Sequence, residues 1–141
     1  MGICKRNPEG YSDPTAYAAL TRIADEEKQK AFKPLVFICS PYAGDTDTNA
    51  RNARLYCRFA IKKKCIPLAP HLLFPQFLDD GDPAERELGL FCGMVLLCRC
   101  SELWVFGDDI TTGMAAEIAK ARRRGMLIRY FDEDCREVQR I

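Results

Sequence analysis

Histidine, closely spaced cysteine pairs and long apolar segments are scarce or missing in this sequence. One histidine, His71, occurs among 141 residues, and the eight cysteines form no C-x-x-C pair. Zinc centres draw on several cysteine and histidine ligands at close spacing, so we expect no bound metal. The longest apolar segment, residues 88–98, is about half of the ~20 residues that cross a bilayer. We therefore expect no membrane partner.

The sequence also lacks an excess of charge of either sign. Its 21 Lys and Arg residues against 20 Asp and Glu residues leave a net charge of +1, which argues against electrostatic binding of a nucleic-acid strand. The first ten residues carry Lys5, Arg6 and Glu9 and no apolar core of a signal peptide. We expect a cytoplasmic protein with reduced thiols, whose partner is a small molecule.

Two common phosphate-binding fingerprints are absent as well. Neither a Walker loop nor a G-x-G-x-x-G turn occurs in the sequence. Their absence removes the usual ATPase and dinucleotide-dependent classes of enzyme. We accordingly expect no cofactor.

What the sequence does contain is the composition of one globular domain with alternating elements. Hydrophobic residues make up 48% and charged residues 29% of the chain, which suits a single packed core. Apolar, β-prone runs at residues 35–39, 65–70, 102–106 and 126–131 alternate with helical patterns at 46–64, 83–98 and 114–124. This alternation predicts an α/β fold with a parallel sheet of four to five strands.

A further helix is predicted ahead of this core. Asp13 followed by Pro14 is a typical helix start, and the helical pattern continues to about residue 31. We therefore divide the chain into an N-terminal extension with one helix, residues 1–33, and an α/β domain, residues 34–141.

The loops that follow the strands are the expected ligand site, because ligands of open parallel sheets bind beyond the carboxyl ends of the strands. Asp45 in the first loop is equally well explained as a helix cap, and a lone histidine is more often structural than a ligand. The candidate substrate-binding residues in and after these loops are Ser40, Pro41, Gly44, Asp45, His71, Phe74, Gly107, Asp108, Gly113 and Met114.

Glu117 stands out among the acidic residues. It lies about one turn into the helix that follows the strand 102–106, and its neighbours are small or apolar: Met114, Ala115, Ala116, Ile118 and Ala119. A carboxylate in that setting either is buried near the ligand crevice and functional or faces solvent alone. We favour a functional role.

Three segments in this order resemble the nucleoside 2-deoxyribosyltransferase-like superfamily, which includes nucleotide N-glycosidases and related bacterial and phage domains. The segments are FICSPYAG at 37–44, IPLAP at 66–70 and GMAAE at 113–117. The resemblance covers residues 35–131 and implies a Rossmann-like (flavodoxin-like) three-layer sandwich. It further implies that Glu117 is the nucleophile of a transferase or hydrolase that cleaves the N-glycosidic bond of a nucleoside or nucleotide.

The sequence departs from its relatives at two expected catalytic positions. The position at which the resemblance places a catalytic aspartate holds Met94, and the position of an orienting tyrosine holds Phe37. Neither side chain transfers a proton or donates a hydrogen bond.

Two hypotheses follow from these departures. In the first, an acid from the second loop or the following helix reaches the site, and Tyr42 supplies the missing hydroxyl and is catalytic together with Glu117. In the second, the pocket binds a nucleotide or nucleotide-derived signal without turnover. The acids considered in the first hypothesis are Asp79, Asp80, Glu85 and Glu87.

The apolar segment 88–98 suits either a helix at a subunit interface or a central helix buried within one subunit. Related folds assemble into oligomers, so we expect a homodimer or a higher homo-oligomer. Phe74 and Phe77 in the second loop either help to close the pocket or form a small hydrophobic cluster of their own. Trp104 lies in the middle of a predicted strand and is expected in the core.

Overall fold

The computed structural model describes residues 14–29 and 33–140, which form an α/β fold with a five-stranded sheet and an N-terminal helix. The elements in chain order are α1 (Pro14–Gln29), β1 (Leu35–Cys39), α2 (Thr46–Lys62), β2 (Ile66–Leu68), α3 (Pro70–Leu73), a 3-10 turn (Phe74–Gln76), α4 (Pro83–Leu97), β3 (Glu102–Phe106), α5 (Thr112–Arg123), β4 (Leu127–Phe131) and β5 (Glu137–Val138).

The chain divides into two units, residues 1–33 and 34–141. The first contains α1, in which the Thr21 hydroxyl donates to the carbonyl oxygen of Tyr17 at 2.9 Å. Leu20 and Ile23 on this helix are about half exposed. The predicted cap Asp13 and the predicted helix end at residue 31 lie outside the described residues.

The sheet of the second unit has the strand order β2-β1-β3-β4-β5. Strand β1 pairs in parallel with β2 and β3, and β3 pairs in parallel with β4. The predicted α/β fold is thus confirmed for four parallel strands. Strand β5 adds an antiparallel edge that the sequence pattern did not predict, since two residues are too few for a strand periodicity.

Strands β1 and β3 are buried on both faces, and alternate side chains enter two separate clusters. The α5-side cluster contains strand residues together with residues of α4, α5 and the turn after α4: Phe37, Cys39, Leu97, Cys100, Leu103, Val105, Met114, Ile118 and Ala121. The α2-side cluster contains the opposite strand residues and residues of or next to α2 and β2: Val36, Ile38, Tyr56, Ala60, Cys65, Trp104, Phe106 and Phe131.

Trp104 is fully buried, which confirms its predicted place in the core. Its indole nitrogen donates to the Glu102 carboxylate at 3.1 Å. The Arg129 guanidinium lies 5.0 Å from the centre of the Trp104 ring, where the ring face attracts a cation. The only tryptophan of the chain therefore has its polar atom satisfied within the core.

The segment from β2 to α3 differs from the sequence-based prediction. The strand predicted to run to residue 70 ends at Leu68, and a short helix, α3, begins at Pro70. Proline is well accommodated in the first turn of a helix because it needs no amide hydrogen there. His71 therefore lies on a helix and not in an irregular loop.

Helix α4 is only partly covered in the second unit. Leu97 is fully buried, whereas other large apolar side chains of this helix are at least 44% exposed: Leu88, Leu90, Phe91 and Val95. The prediction of a central helix buried within one subunit is therefore wrong. The sequence of α4 is apolar on nearly every side of the helix. It is therefore compatible both with complete burial and with exposure of one face. The interface alternative stays a prediction.

The cysteines of the described residues are all free. Cys39, Cys65 and Cys100 are buried and the remaining four are half-buried, so the first three pack as small hydrophobic side chains. Within the described parts of the chain, no helix has the length and apolar character needed to cross a membrane.

Replacing Leu103 by alanine is predicted to destabilise the fold by about 2–5 kcal/mol, because it leaves a cavity in the α5-side cluster. The same substitution at Leu127, on the neighbouring strand and 59% exposed, is the matched control and is expected to cost less than about 1 kcal/mol. Urea unfolding followed by circular dichroism measures both. Equal losses would contradict the assigned core.

Candidate functional site

The carboxyl end of β1 is the place where the chain leaves one half of the sheet for the other. Helix α2 leads from β1 to β2 on one side, whereas β3 pairs with β1 on the other side. Such a reversal opens a crevice between the loops after the two strands, and ligands of open parallel sheets bind there. The residues Cys39 and Ser40, at the end of β1, lie at this point.

Glu117 lies on α5, against the end of β1. The Cys39 thiol donates to Oε1 of Glu117 at 3.7 Å and also lies 3.9 Å from the carbonyl oxygen of Met114. Helix α5 is positioned by its cap, since the Thr111 hydroxyl accepts from the amide of Met114 at 3.2 Å. Glu117 is half-buried, and its functional role stays a prediction.

Burial raises the pKa of Glu117 to about 7, and the hydrogen bond from Cys39 acts in the opposite direction. A pKa near 7 means that the carboxylate and the carboxylic acid are both well populated at neutral pH. Among the described residues, no cation contributes to this shift. The partner of the ionised carboxylate is the Cys39 thiol, which belongs to the α5-side cluster.

The apolar surroundings of Glu117 include the two positions at which the resemblance places a tyrosine and an aspartate. Phe37 is buried in the α5-side cluster, and Met94 packs against the same cluster. Cys39 belongs to this cluster too. Both departures therefore lie on the side of the sheet that carries Glu117, where they add apolar surface.

A second polar group lies on the other side of the β1 end. The hydroxyl of Ser40, a buried residue, is 3.0 Å from Nε2 of His71. Burial lowers the pKa of His71 to about 4, so the imidazole is neutral at pH 7 and one of its nitrogens accepts while the other donates. The edge of the Tyr42 ring faces the His71 ring at a centroid distance of 6.0 Å.

The loop after β1 is shaped by Gly44 and Asp45. Gly44 has a φ of +94°, a conformation that favours glycine. Asp45 caps α2 by accepting from the amide of Thr48 at 3.2 Å, and this bond holds the pKa of its exposed carboxyl below the usual value. The side-chain amide of Asn49 donates to the carbonyl oxygens of Tyr42 and Ala43, both at 3.1 Å.

A cleft of about 280 Å³ opens between these loops. Its floor is aromatic, because the rings of Tyr56 and Phe106 stack at 4.2 Å. The lining residues come from the ends of β1 and β3, from α2 and from the loop after β4: Ser40, Pro41, Asn49, Asn52, Tyr56, Phe106, Gly107, Asp109, Thr111 and Glu133.

The predicted site residues fall into several places. Ser40, Pro41 and Gly107 line the cleft. Asp108 does not line it: its carboxylate is exposed and accepts from Arg140 at 2.6 Å, while the next residue, Asp109, takes the lining position.

Other predicted residues lie away from the cleft. Met114 is buried in the α5-side cluster, and Gly113 lies exposed in the first turn of α5. The rings of Phe74 and Phe77 contact each other at 5.7 Å and neither lines the cleft. These residues and Gly44, Asp45 and His71 stay predictions as substrate-binding groups.

A protein-family model matches residues 34–131, from the residue before β1 to the end of β4. It describes a domain of unknown function, DUF7768. The chain belongs to the DUF7768 family. The matched segment contains both Glu117 and the Ser40–His71 pair. No curated protein matches the chain.

Several cleft residues of this DUF7768 domain escaped the sequence analysis. Asn49, Asn52 and Tyr56 recur at helical spacing on α2 and so share one face of the helix, which is a signal that could have identified them. Glu133 lies after β4 and beyond the family match, and only the three-dimensional structure brings it to the cleft. Among the described residues, no group of three or more His, Cys, Asp or Glu side chains is arranged to hold a metal ion.

The raised pKa of Glu117 predicts how the stability of the DUF7768 domain depends on pH. Since the folded state binds the proton more tightly than the unfolded state, in which the pKa is near its ordinary value of 4.5, the stabilising effect is complete below pH 4.5 and is lost as the pH rises to about 7. The loss is of the order of 2–3 kcal/mol. Glu117→Gln should remove this part of the pH dependence.

Urea unfolding between pH 4 and pH 8 measures this effect in the natural sequence and in the variant. Glu87→Gln, on the exposed surface of α4, is the matched control and should retain the pH dependence. A natural protein whose stability does not fall relative to Glu117→Gln over this range would contradict the burial of the carboxylate.

Proposed function

We propose that this protein cleaves or transfers the N-glycosidic bond of a nucleoside or nucleotide, with Glu117 as the nucleophile. The observation that carries the proposal is the Glu117 carboxylate, half-buried on α5 and joined to the end of β1 through Cys39. The resemblance to nucleoside 2-deoxyribosyltransferases points to the same residue.

The finer architecture belongs to this proposal. The strand order β2-β1-β3-β4-β5 is the order of flavodoxin-like folds. Helix α2 contributes to the cluster on one face of the sheet, whereas α4 and α5 contribute to the cluster on the other. We therefore propose a Rossmann-like three-layer sandwich for residues 34–141.

The proposed reaction has two steps. In the first, a carboxylate oxygen of Glu117 bonds to the anomeric carbon of the sugar, and the bond from this carbon to the base nitrogen breaks with its electron pair going to the base. In the second, the oxygen of water or a nitrogen of another base bonds to the same carbon and gives up its proton to solvent, while the ester bond from this carbon to Glu117 breaks with its electron pair returning to the carboxylate. The product is the free sugar or a new nucleoside. Both steps pass through an oxocarbenium-like transition state.

The burial of Glu117 suits this chemistry. Removal from water disfavours the ionised carboxylate in the free protein, as its pKa of about 7 reflects. A positive charge that develops on the sugar next to this carboxylate supplies the missing partner. The interaction is therefore stronger in the transition state than in the ground state, which is the condition for catalysis.

Met94 donates no proton, so the leaving base is protonated in this proposal by an acid from the second loop or from α4. We assign to Tyr42, which is half-buried near His71, the hydroxyl that Phe37 lacks. Of the acids considered from the sequence, Asp79 accepts from the amide of Gly81 at 2.9 Å. Three of those acids are exposed, Asp79, Asp80 and Glu87, and Glu85 is half-buried.

One observation favours a second function, the binding of a nucleotide or nucleotide-derived signal without turnover. Phe37 and Met94 place apolar side chains against the cluster that holds Cys39. The two positions from which relatives orient the nucleophile and protonate the base are thereby lost. A pocket can retain its shape and its affinity without these groups.

The remaining expectations form part of the same proposal. The partner is a small-molecule nucleoside or nucleotide, and neither a cofactor nor a metal ion takes part. The exposed apolar side chains of α4 are assigned to the contact between copies in a homodimer or higher homo-oligomer. A cytoplasmic setting accords with these assignments.

Incubation with the common deoxynucleosides and their 5′-monophosphates is predicted to release free base, which chromatography detects. Glu117→Gln should lower the rate by roughly 10³-fold or more, because removal of a nucleophile abolishes the first step. The control Glu137→Gln makes the same substitution on β5 and should retain the rate.

Release that survives in Glu117→Gln would contradict the assigned nucleophile. The absence of release, together with thermal stabilisation by a ligand that survives in Glu117→Gln, would instead establish the binding function.

A further inference from the structure

The cleft beside Ser40 has negative charge in its lining and no positive charge. The acidic residues Asp109 and Glu133 both belong to the lining, and no Lys, Arg or His stands among the lining residues that the structure describes. Glu133 lies against Gly107, where an added Cβ atom would be 4.0 Å from its Cγ atom. Burial and then the charge of Glu133 raise the pKa of Tyr56 to about 12. The influence of Glu133 therefore reaches the aromatic floor.

The helix starts beside the cleft are already capped by oxygens of the chain itself. Asp45 accepts from the amide of Thr48 at the start of α2, and Thr111 accepts from the amide of Met114 at the start of α5. Free amides at a helix start form the usual phosphate site. Here a side-chain oxygen already accepts from one amide at each helix start, and the Asp45 oxygen carries a negative charge.

The remaining lining suits an uncharged molecule that carries hydroxyl groups. The floor is the stacked pair Tyr56 and Phe106. Asn49 is held in place by its two bonds to the loop after β1, and the Asn52 amide offers both a donor and an acceptor. Asp109 and Glu133 are acceptors that pair well with hydroxyl groups, because a hydrogen bond to a carboxylate is charge-assisted.

We propose that this cleft receives the sugar end of an unphosphorylated nucleoside, whose hydroxyls donate to Asp109 and Glu133, and that it rejects the corresponding 5′-monophosphate. This inference rests on the function proposed above and names its substrate class. A 5′-phosphate brings a charge of about −2 at neutral pH towards two carboxylates. The 5′-hydroxyl of the unphosphorylated nucleoside carries no charge.

Calorimetric titration of the full chain with the four common deoxynucleosides and with their 5′-monophosphates tests the inference. At least one nucleoside is expected to bind about tenfold or more tightly than its monophosphate at low salt. Glu133→Gln should reduce this ratio, and Asp109→Asn with Glu133→Gln should reduce it further, since each substitution removes one repelling charge. Asp134→Asn removes the neighbouring exposed charge, which lies outside the lining and acts on Tyr56 less than Glu133 does, and it should change the ratio less than Glu133→Gln does.

Each other result overturns the inference in a recognisable way. A monophosphate that binds as tightly as its nucleoside, or more tightly, refutes the discrimination while the N-glycosidic function stands. If the ratio falls as much in Asp134→Asn as in Glu133→Gln, the discrimination comes from the overall negative charge of the loop after β4 and not from the cleft lining. If neither class of compound binds and neither releases base, both the inference and the proposed function are wrong. The comparison of ligands on the natural sequence needs no variant to fold.

Discussion

The parallel pairing of β1 with strands on both of its sides is the constraint on which the rest of the structure depends. Because β2 and β3 satisfy both edges of β1 and its faces are buried, the end of β1 has one fixed position. Cys39 at this end contacts Glu117 on α5, and the next residue, Ser40, contacts His71 on α3. A single strand thus holds together helices that lie far apart in the sequence.

The two contacts divide the site into parts with different chemistry. The part around Glu117 is apolar, and burial there raises the pKa of the carboxylate to about 7. The part around the cleft is polar and acidic, with a floor of stacked aromatic rings. In the proposed function the first part reacts with the anomeric carbon, and the second binds the sugar end of the substrate. The near-neutral net charge of the whole chain therefore gives no sign of the excess of acidic residues at the cleft.

The sequence predicted the elements well where local patterns dominate. Strands β1 and β3 have the predicted bounds because continuous apolar runs between turn residues are the usual mark of a doubly buried strand. Helix α3 was missed because Pro70 was taken as the end of a strand, although proline also suits a first helical turn. The exposure of Phe91 on α4 was left open, because an apolar sequence does not say which of its faces finds a partner.

The site was only partly predictable, since its contacts join distant parts of the chain. Glu117 was identified from its apolar neighbours and its place after β3, but its bond to Cys39 depends on how α5 packs against the sheet. Asp108 and Asp109 are adjacent and chemically alike, and only the structure shows that Asp108 pairs with Arg140 while Asp109 lines the cleft. Glu133 has no signal in the sequence that ties it to the loops after β1 and β3.

The central claim is that the Glu117 carboxylate forms a bond to the sugar, and trapping of that bond tests it most directly. A nucleoside with fluorine next to the anomeric carbon slows both steps, because fluorine destabilises the oxocarbenium-like transition state, so that the ester can accumulate. Mass spectrometry of the protein and its peptides then locates the added sugar. The account predicts an adduct on the peptide that contains Glu117 and none in Glu117→Gln. An adduct on another carboxylate, or base release without any adduct, would contradict it.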